Sequence, residues 1–390
     1  LLLLLLLLLD WGKMWNKNWN KKIGTKKLEQ KGHTFYIHTS YVSKMGGEGE
    51  EEGGGGRVKV IIDTDPGIDD AFAVLASLSC MPELDVVALA SSFGNVRTEK
   101  ATENCKKLLR ISKKTKGEVL VAEGSKKALN GKQKEHVADF VHGKDGFGDF
   151  TEDATEETDD DEIQLYPGGS GKLMYDVAKK YPNEVTIICL ATATNVVNAF
   201  REYKELPKML RSVVHLGGAY NVCGNVNPAA EANVYADAEA ADELYGTHGV
   251  DIYAVGLDVT MEVRMSEENL IKMRDVKCEK EREAFTDEER QFLFNASQFY
   301  MNYHIKSMNF RGILQHDSVC VMAVIHPEMF EWTRARVRVA TESFARGMVI
   351  MDKGEKNWSF ENAWTERPLI NVALTADFEA IEKVLMERFI

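Results

Sequence analysis

The chain has 390 residues and a formal net charge of −13, with 48 Lys and Arg against 61 Asp and Glu. This excess of acid argues against a general binder of nucleic acid or of anionic membrane surfaces, because neither polyanion is attracted to it. Hydrophobic residues make up 44% of the chain, enough for one large α/β domain or two smaller ones.

The first 56 residues differ in composition from the rest. Leu1 to Leu9 is an unbroken leucine run, which is shorter than the roughly 20 apolar residues that a membrane span needs. Residues 46–56 contain only Gly and Glu, a composition typical of unstructured linkers. We expect residues 1–56 to be a disordered or non-native extension, with Met45 as the native start, and residues 57–390 to be one catalytic domain.

Two further features favour a cytoplasmic protein. No later segment is long and apolar enough to span a bilayer. The six cysteines form no CxxC pair, and most have apolar neighbours, as Cys189 does. Such cysteines are typical of free thiols in a reducing compartment.

From residue 57 onward, strand-like and helix-like segments alternate. The apolar patterns predict strands at Val58–Ile62, Leu84–Ser91, Val119–Ala122, Glu184–Leu190, Ser212–Leu216 and Ile252–Gly256, and helices at Ala71–Ser79, Lys100–Ile111 and Gly171–Lys180. This alternation predicts an open, Rossmann-like α/β fold, with a mostly parallel sheet flanked by helices, in a single domain. Ligands of such sheets bind where loops leave the carboxyl ends of the strands. The acidic run Thr151–Glu162 is interpreted as a solvated loop or helix start rather than a second cation site.

Residues 63–70 read Asp-Thr-Asp-Pro-Gly-Ile-Asp-Asp and follow the first predicted strand directly. Four like charges repel one another, so their crowding favours a compensating hard divalent cation with oxygen ligands. The Pro-Gly pair predicts a turn that brings Asp65, Asp69 and Asp70 towards one point. The alternative is a set of helix N-terminal acids that meet the helix dipole, for which one Asp would suffice.

Polar motifs follow two other predicted strands. Asn95 comes after the second strand, within Phe-Gly-Asn-Val, although Gly-Asn is also an ordinary turn pair. After Ser212–Leu216, the segment that contains Asn225, Glu231 and Asn233 mixes amides and a carboxylate with small residues. These donors and acceptors suit the vicinal hydroxyls of a sugar, while a plain polar loop is the alternative.

The last motif is His316-Asp317, which lies between two apolar stretches. Asp317 could add a distant carboxylate to a metal site, and His316 could donate a proton, whereas the simpler alternative is a capping Asp beside a chance His. Tyr300 and His304, four residues apart, would share one helix face.

Together these motifs resemble the nucleoside hydrolase family, most closely its plant-type uridine nucleosidases. The resemblance covers essentially all of residues 57–390. It rests on the opening motif Asp63–Ala71, on residues 93–96, 139–149 and 224–236, on Tyr300–Ser307, and on His316-Asp317. The fold, the enzyme class and the site assignments of that family are therefore expected here.

The resemblance implies a Ca²⁺ site formed by Asp65, Asp70, the carbonyl of Leu190 and Asp317. It implies that Asp69, Asn95, Asn225, Glu231 and Asn233 bind the ribose, with His142, Tyr300 and His304 around the base. The implied reaction is hydrolysis of the N-glycosidic bond of ribonucleosides, uridine in particular with inosine and xanthosine open, in nucleoside salvage and catabolism. Asp65 would act as general base towards water, and His316 would serve the leaving base. The family also implies a homodimer or homotetramer.

Two other function classes are alternatives to a nucleoside hydrolase. Haloacid-dehalogenase-like phosphatases also carry Asp-x-Asp after a first strand and use Mg²⁺, but the Pro-Gly-Ile-Asp-Asp run that follows here fits them poorly. An inactive relative that only binds ribosides is the non-enzymatic alternative, although every assigned chemical position is present. Both remain open at the level of sequence.

Overall fold

The computed structural model describes residues 27–30, 33–36, 56–114, 119–133, 137–150, 163–276 and 284–390. Two compact units divide the chain, Leu1–Gly53 and Gly54–Ile390. In the first, β1 (Lys27–Gln30) pairs antiparallel with β2 (His33–Tyr36). The rest of the predicted N-terminal extension up to residue 55, and the acidic run 151–162, lie outside the described residues.

The second unit contains the remaining strands. They are β3 (Val58–Thr64), β4 (Leu84–Ser91), β5 (Leu120–Glu123), β6 (Val185–Cys189), β7 (Ser212–Leu216), β8 (Asp251–Val255), β9 (Arg264–Ser266), β10 (Gly312–Leu314), β11 (Phe330–Val339), β12 (Val349–Asp352) and β13 (Ile370–Ala376). Strands β9 and β10 form a small antiparallel pair. All six predicted strands are confirmed to within two residues at each end, and β4 and β7 match their predicted bounds.

The helices of this unit complete the βα alternation. They are α1 (Ile68–Ser79), α2 (Thr98–Ile111), α3 (Asp139–His142), α4 (Gly169–Lys180), α5 (Thr194–Glu202), α6 (Leu206–Met209), α7 (Ala232–Ala236), α8 (Ala238–Tyr245), α9 (Leu257–Thr260), α10 (Glu267–Asp275), α11 (Asp287–Met308), α12 (His316–Ile325) and α13 (Phe378–Phe389). Helix α1 begins three residues before its predicted start, so Asp69 and Asp70 lie in its first turn rather than in the preceding loop.

Nine of the described strands form one sheet in the order β12-β11-β13-β8-β7-β6-β3-β4-β5. From β13 to β5 every pairing is parallel, and β11 joins antiparallel to β13 and to β12. Strand β6 is buried along its whole length, as expected for a strand that helices cover on both faces. The predicted mostly parallel α/β sheet is confirmed.

The strand order places the candidate site at the carboxyl end of β3, an inner strand of the sheet. Strand β3 lies between β6 and β4, so the loops that follow these three strands meet at one edge. Helices α11 and α12 come from far along the sequence and pack against α1. Among the described residues, no helix is long and apolar enough to cross a membrane.

Candidate active site

Three buried carboxylates lie together at the carboxyl end of β3. Asp69 and Asp70 are in the first turn of α1, and Asp317 is in the first turn of α12. One oxygen of each lies within 4.8 Å of one oxygen of the others. Burial raises the pKa of all three carboxyl groups, that of Asp69 to about 7, and repulsion from the neighbouring carboxylates adds to the rise for Asp69 and Asp317.

This cluster fits a divalent cation. Asp69 Oδ1 is buried and has no hydrogen-bond partner within the described part of the chain. Among the described residues, the one basic side chain within 4.0 Å of these carboxylates is His142, whose Nδ1 lies 3.8 Å from Asp69 Oδ1. Buried carboxylate oxygens without a compensating Lys or Arg are the donor set that hard cations prefer.

Asp70 also caps the helix that carries it. Its Oδ2 accepts hydrogen bonds from the backbone N–H of Gly67 at 3.0 Å and from Asn95 Nδ2 at 2.9 Å, and its Oδ1 accepts one from Thr64 Oγ1 at 2.5 Å. The capping alternative is therefore correct for this one residue. The same carboxylate also belongs to the cluster of three, so it is a candidate metal ligand as well.

Asp65 lies outside the cluster of three. Its Oδ2 accepts a hydrogen bond from the backbone N–H of Asn95 at 2.5 Å. A Cβ atom on Gly94 would lie 1.7 Å from the same oxygen, so only glycine lets the loop after β4 approach this carboxylate. The loops after β3 and β4 are thereby held together around Asp65.

Asp63 ties the strand ends together instead of joining the cluster. Its Oδ1 accepts a hydrogen bond from Asn195 Nδ2 at 2.7 Å, and the same amide donates to the Ser91 carbonyl at 2.9 Å. Asn195 thus connects α5 to the ends of β3 and β4. Burial raises the pKa of Asp63 to about 7, and the hydrogen bond from Asn195 opposes that rise.

A cleft of roughly 1460 Å³ opens above the carboxylates. It is lined by eleven of the thirteen residues predicted from sequence: Asp69, Asn95, His142, Leu190, Asn225, Glu231, Asn233, Tyr300, His304, His316 and Asp317. The other two, Asp65 and Asp70, are buried and are not lining residues. Residues separated by up to 248 positions in the chain are brought together around one cavity.

The amide and carboxylate groups after β7 are built into the backbone. Glu231 caps α7, with Oε1 accepting from the N–H of Asn233 at 2.8 Å and Oε2 accepting from the N–H groups of Val234 and Gly218. Asn233 Nδ2 donates to the carbonyls of Leu190 at 2.7 Å and Leu216 at 3.1 Å. The Leu190 carbonyl therefore already accepts one hydrogen bond and keeps one lone pair.

Aromatic and imidazole rings form another wall of the cleft. Tyr300 donates its hydroxyl hydrogen bond to Asp69 Oδ2 at 3.2 Å, and its ring centroid lies 5.3 Å from His142 and 4.2 Å from His304. His142 Nδ1 accepts from the backbone N–H of Ile68 at 3.1 Å. His304 donates from Nδ1 to the Gly312 carbonyl at 3.2 Å, and burial lowers its pKa to about 4.

His316 also lines the cleft. It is the first residue of α12, directly before Asp317 in the cluster. Its Nδ1 lies 2.8 Å from Thr260 Oγ1. Burial lowers the pKa of His316 to about 3, so the ring is neutral at neutral pH.

Comparison with known proteins shows to which protein family the chain belongs. The sequence model of the inosine-uridine preferring nucleoside hydrolases matches residues 60–383. "Probable uridine nucleosidase 1" of Oryza sativa subsp. japonica is 39% identical over 321 residues, which are 82% of this chain and 93% of that protein. "Uridine nucleosidase 1" of Arabidopsis thaliana is 36% identical over 83% of this chain and 90% of that protein.

A solved structure agrees with the sequence relatives. "Plant nucleoside hydrolase - PpNRh1 enzyme" superposes with a TM-score of 0.78 at 34% identity, covering 86% of this chain and 99% of that one. This chain belongs to the inosine-uridine preferring nucleoside hydrolase family. The predicted resemblance, fold class and enzyme class are confirmed, and the chain is a ribonucleoside hydrolase. Neither the phosphatase nor the inactive riboside binder receives support.

The cleft of this nucleoside hydrolase also contains residues that the sequence analysis missed. Phe140 and Tyr303 meet edge to face across its rim, with ring centroids 6.0 Å apart. Tyr303 could have been found, because it lies three positions after Tyr300 on the same helix. Glu239 and Arg346 form a two-pronged ion pair at another part of the lining, with bonds of 2.9 and 2.7 Å. Nothing in the sequence pattern indicated that pair.

Proposed function

We propose that this protein hydrolyses the N-glycosidic bond of ribonucleosides in a Ca²⁺-dependent reaction, in nucleoside salvage and catabolism. Uridine is the first substrate to test, as the names of the plant relatives suggest, with inosine and xanthosine as alternatives. The observation that carries the proposal is the cluster of Asp69, Asp70 and Asp317, which is buried beside the cleft and has no Lys or Arg of the described residues within 4.0 Å of its carboxylates.

The proposed cation ligands are Asp70 and Asp317 from the cluster, Asp65, and the carbonyl of Leu190. The lone pair left on that carbonyl supports the last assignment. Asp69 belongs to the cluster and also lines the cleft, which supports a contact with the cation as well as with a ribose hydroxyl. A divalent cation bound there would supply Lewis-acid chemistry, which lowers the pKa of water and favours bound hydroxyls.

The side chains of the protein carry out the other steps of the proposed reaction. Asp65 takes a proton from the attacking water as general base, and its bond from the Asn95 N–H holds it in place. Asp69, Asn95, Asn225, Glu231 and Asn233 bind the hydroxyls of ribose and hold the sugar in line. As the glycosidic bond lengthens, positive charge develops on the sugar, and the neighbouring carboxylates stabilise it.

The leaving base faces the aromatic wall. His142, Tyr300 and His304 surround it, and His316 donates a hydrogen bond to the base as it departs. Substrates without a 2′-hydroxyl lose contacts to Asp69 and are expected to react far more slowly than ribonucleosides. Base preference therefore rests on the wall, while the requirement for ribose rests on the carboxylate side of the cleft.

The proposal is tested by ribose release from uridine, inosine, xanthosine, cytidine, adenosine and 2′-deoxyuridine, with and without a chelator. Uridine hydrolysis that stops after EGTA treatment and dialysis, and returns with Ca²⁺, would support it. Thermal melting of the same samples provides a second measurement, because a cation that binds only the folded state raises its stability. Unchanged turnover and melting temperature after chelation would refute the cation, and no ribose from any nucleoside would refute the reaction.

We also propose a cytoplasmic homodimer or homotetramer. The free cysteines among the described residues, four of them buried, support a reducing compartment. Light scattering after size-exclusion chromatography would give the oligomeric state, and a mass near 43.8 kDa would contradict the oligomer. Immunolocalisation of the native protein would test the compartment.

A further inference from the structure

Thr260 is a buried hydroxyl whose hydrogen bond points into the active site. It is the last residue of α9, the short helix that follows β8, and none of its surface is exposed. Leu257 and Met261, on either side of it, line the cleft. Thr260 itself does not, so it can act on a substrate only through another side chain.

The direction of the Thr260 bond follows from the available partners. Within the described part of the chain, the one hydrogen-bond partner of Thr260 Oγ1 is His316 Nδ1, at 2.8 Å. A buried hydroxyl that donates to no acceptor costs about 1–3 kcal/mol. The hydroxyl therefore donates, and Nδ1 accepts with its lone pair.

This direction fixes the tautomer of His316. A neutral imidazole that accepts at Nδ1 carries its proton on Nε2. His316 lines the cleft, in which the proposed function puts the leaving base. The backbone holds both partners, because Gln315 donates its N–H to the Val263 carbonyl and so joins the start of α12 to the segment after α9.

We propose that Thr260 is a positioning residue for leaving-group departure, which holds His316 as the Nε2–H tautomer and aims that hydrogen at the departing base. The inference rests on the role proposed for His316. Asp317, the next residue, takes part in the carboxylate cluster, so the same helix start presents an acceptor to the cation and a donor to the base.

The test compares Thr260→Val, which removes the hydroxyl but keeps the shape, with Thr260→Ser, which keeps the hydroxyl. For uridine, Thr260→Val is expected to lower kcat about 10- to 100-fold with little change in KM. The reason is that a proton donor contributes about 10²–10⁴-fold to the rate, and the variant loses part of that contribution. Thr260→Ser is expected to retain kcat within about threefold. Thr186→Val, which removes a buried hydroxyl bonded to Ser212 on β6 and β7, is the matched control and should behave as wild type.

A second substrate separates positioning from general damage. 4-Nitrophenyl β-D-ribofuranoside releases a phenolate that needs no proton, so Thr260→Val should hydrolyse it at nearly the wild-type rate. The ¹⁵N shifts of His316 should also show a protonated Nε2 in wild type and a mixture of tautomers in Thr260→Val.

Each outcome decides the inference. If Thr260→Val lost activity equally on both substrates, or if Thr260→Ser lost activity as well, the effect would be a general structural defect and the inference would be refuted. His316→Ala distinguishes the proposed role of His316 from that of Thr260. If it hydrolyses uridine normally, the proposed role of His316 fails; if it is slow while Thr260→Val is normal, only the role of Thr260 fails.

Discussion

At the scale of single residues, the four acids between positions 63 and 70, at the end of β3 and just after it, have different environments. Asp69 and Asp70 join Asp317, Asp65 is held by the loop after β4, and Asp63 binds Asn195 between strand ends. The difference arises because α1 begins at Ile68 and turns the last two acids away from the first two. Equivalent charges in the sequence therefore have separate tasks in the fold.

Asp65→Asn tests the general-base assignment. The amide oxygen can still accept the bond from the Asn95 N–H, but the side chain can no longer take a proton from water. We expect uridine turnover to fall about 10²–10⁴-fold, the usual range for a general base, with an unchanged melting temperature. Asp85→Asn, a partly exposed acid on β4 that pairs with Lys59, is the control. Near-normal ribose release by Asp65→Asn would remove the assignment.

At the scale of elements, β7 carries a histidine into the core of the sheet. His215 is fully buried, and its Nδ1 lies 2.9 Å from the hydroxyl of Tyr245. Burial lowers its pKa to about 4. Because the ordinary pKa is about 6.5, the unfolded chain takes up a proton here at a higher pH than the folded protein does.

This difference predicts how stability depends on pH. Between pH 6.5 and 4 the unfolded state binds more protons, so the free energy of unfolding falls as pH falls, by up to about 3 kcal/mol from this residue. His215→Asn should lack this contribution, so the difference between wild type and variant in the free energy of unfolding should change by up to about 3 kcal/mol between pH 6.5 and 4 in urea titrations. Asp63, Asp69, His304 and His316 contribute to the slope of both proteins alike and drop out of that difference. His248→Asn, at an exposed histidine, is the matched control variant. An unchanged slope in His215→Asn would contradict the prediction.

At the scale of the whole molecule, every proposed site residue lies in the second compact unit. The first unit is Leu1–Gly53, and the family match begins at residue 60. We therefore predict that a chain beginning at Arg57 keeps the kcat/KM for uridine within about twofold, and keeps its melting temperature. The two proteins would be compared by ribose release and calorimetry under the same conditions. A large loss of activity would show that the extension takes part in the enzyme.

The sequence by itself determined the βα alternation, the acidic turn after β3 and the motifs that define the family. These are local properties: a strand that is buried on both faces shows as an apolar run, and a turn shows as Pro-Gly. For the same reason, the sharing of a helix face by Tyr300 and His304 could be predicted from their spacing and is confirmed by their ring contact. Eleven of the residues that line the cleft could be named from the motifs and the family resemblance, but not the atoms that each of them contacts.

Only the tertiary structure decided which atoms meet. The group of Asp69 with Asp70 and Asp317 depends on α12 packing against α1, about 250 residues along the chain. The hydrogen bond between Thr260 and His316 joins two helices, and the two residues are 56 positions apart in the sequence. A hydrogen bond requires two atoms within about 3 Å, and no local pattern of residues records that condition for distant segments.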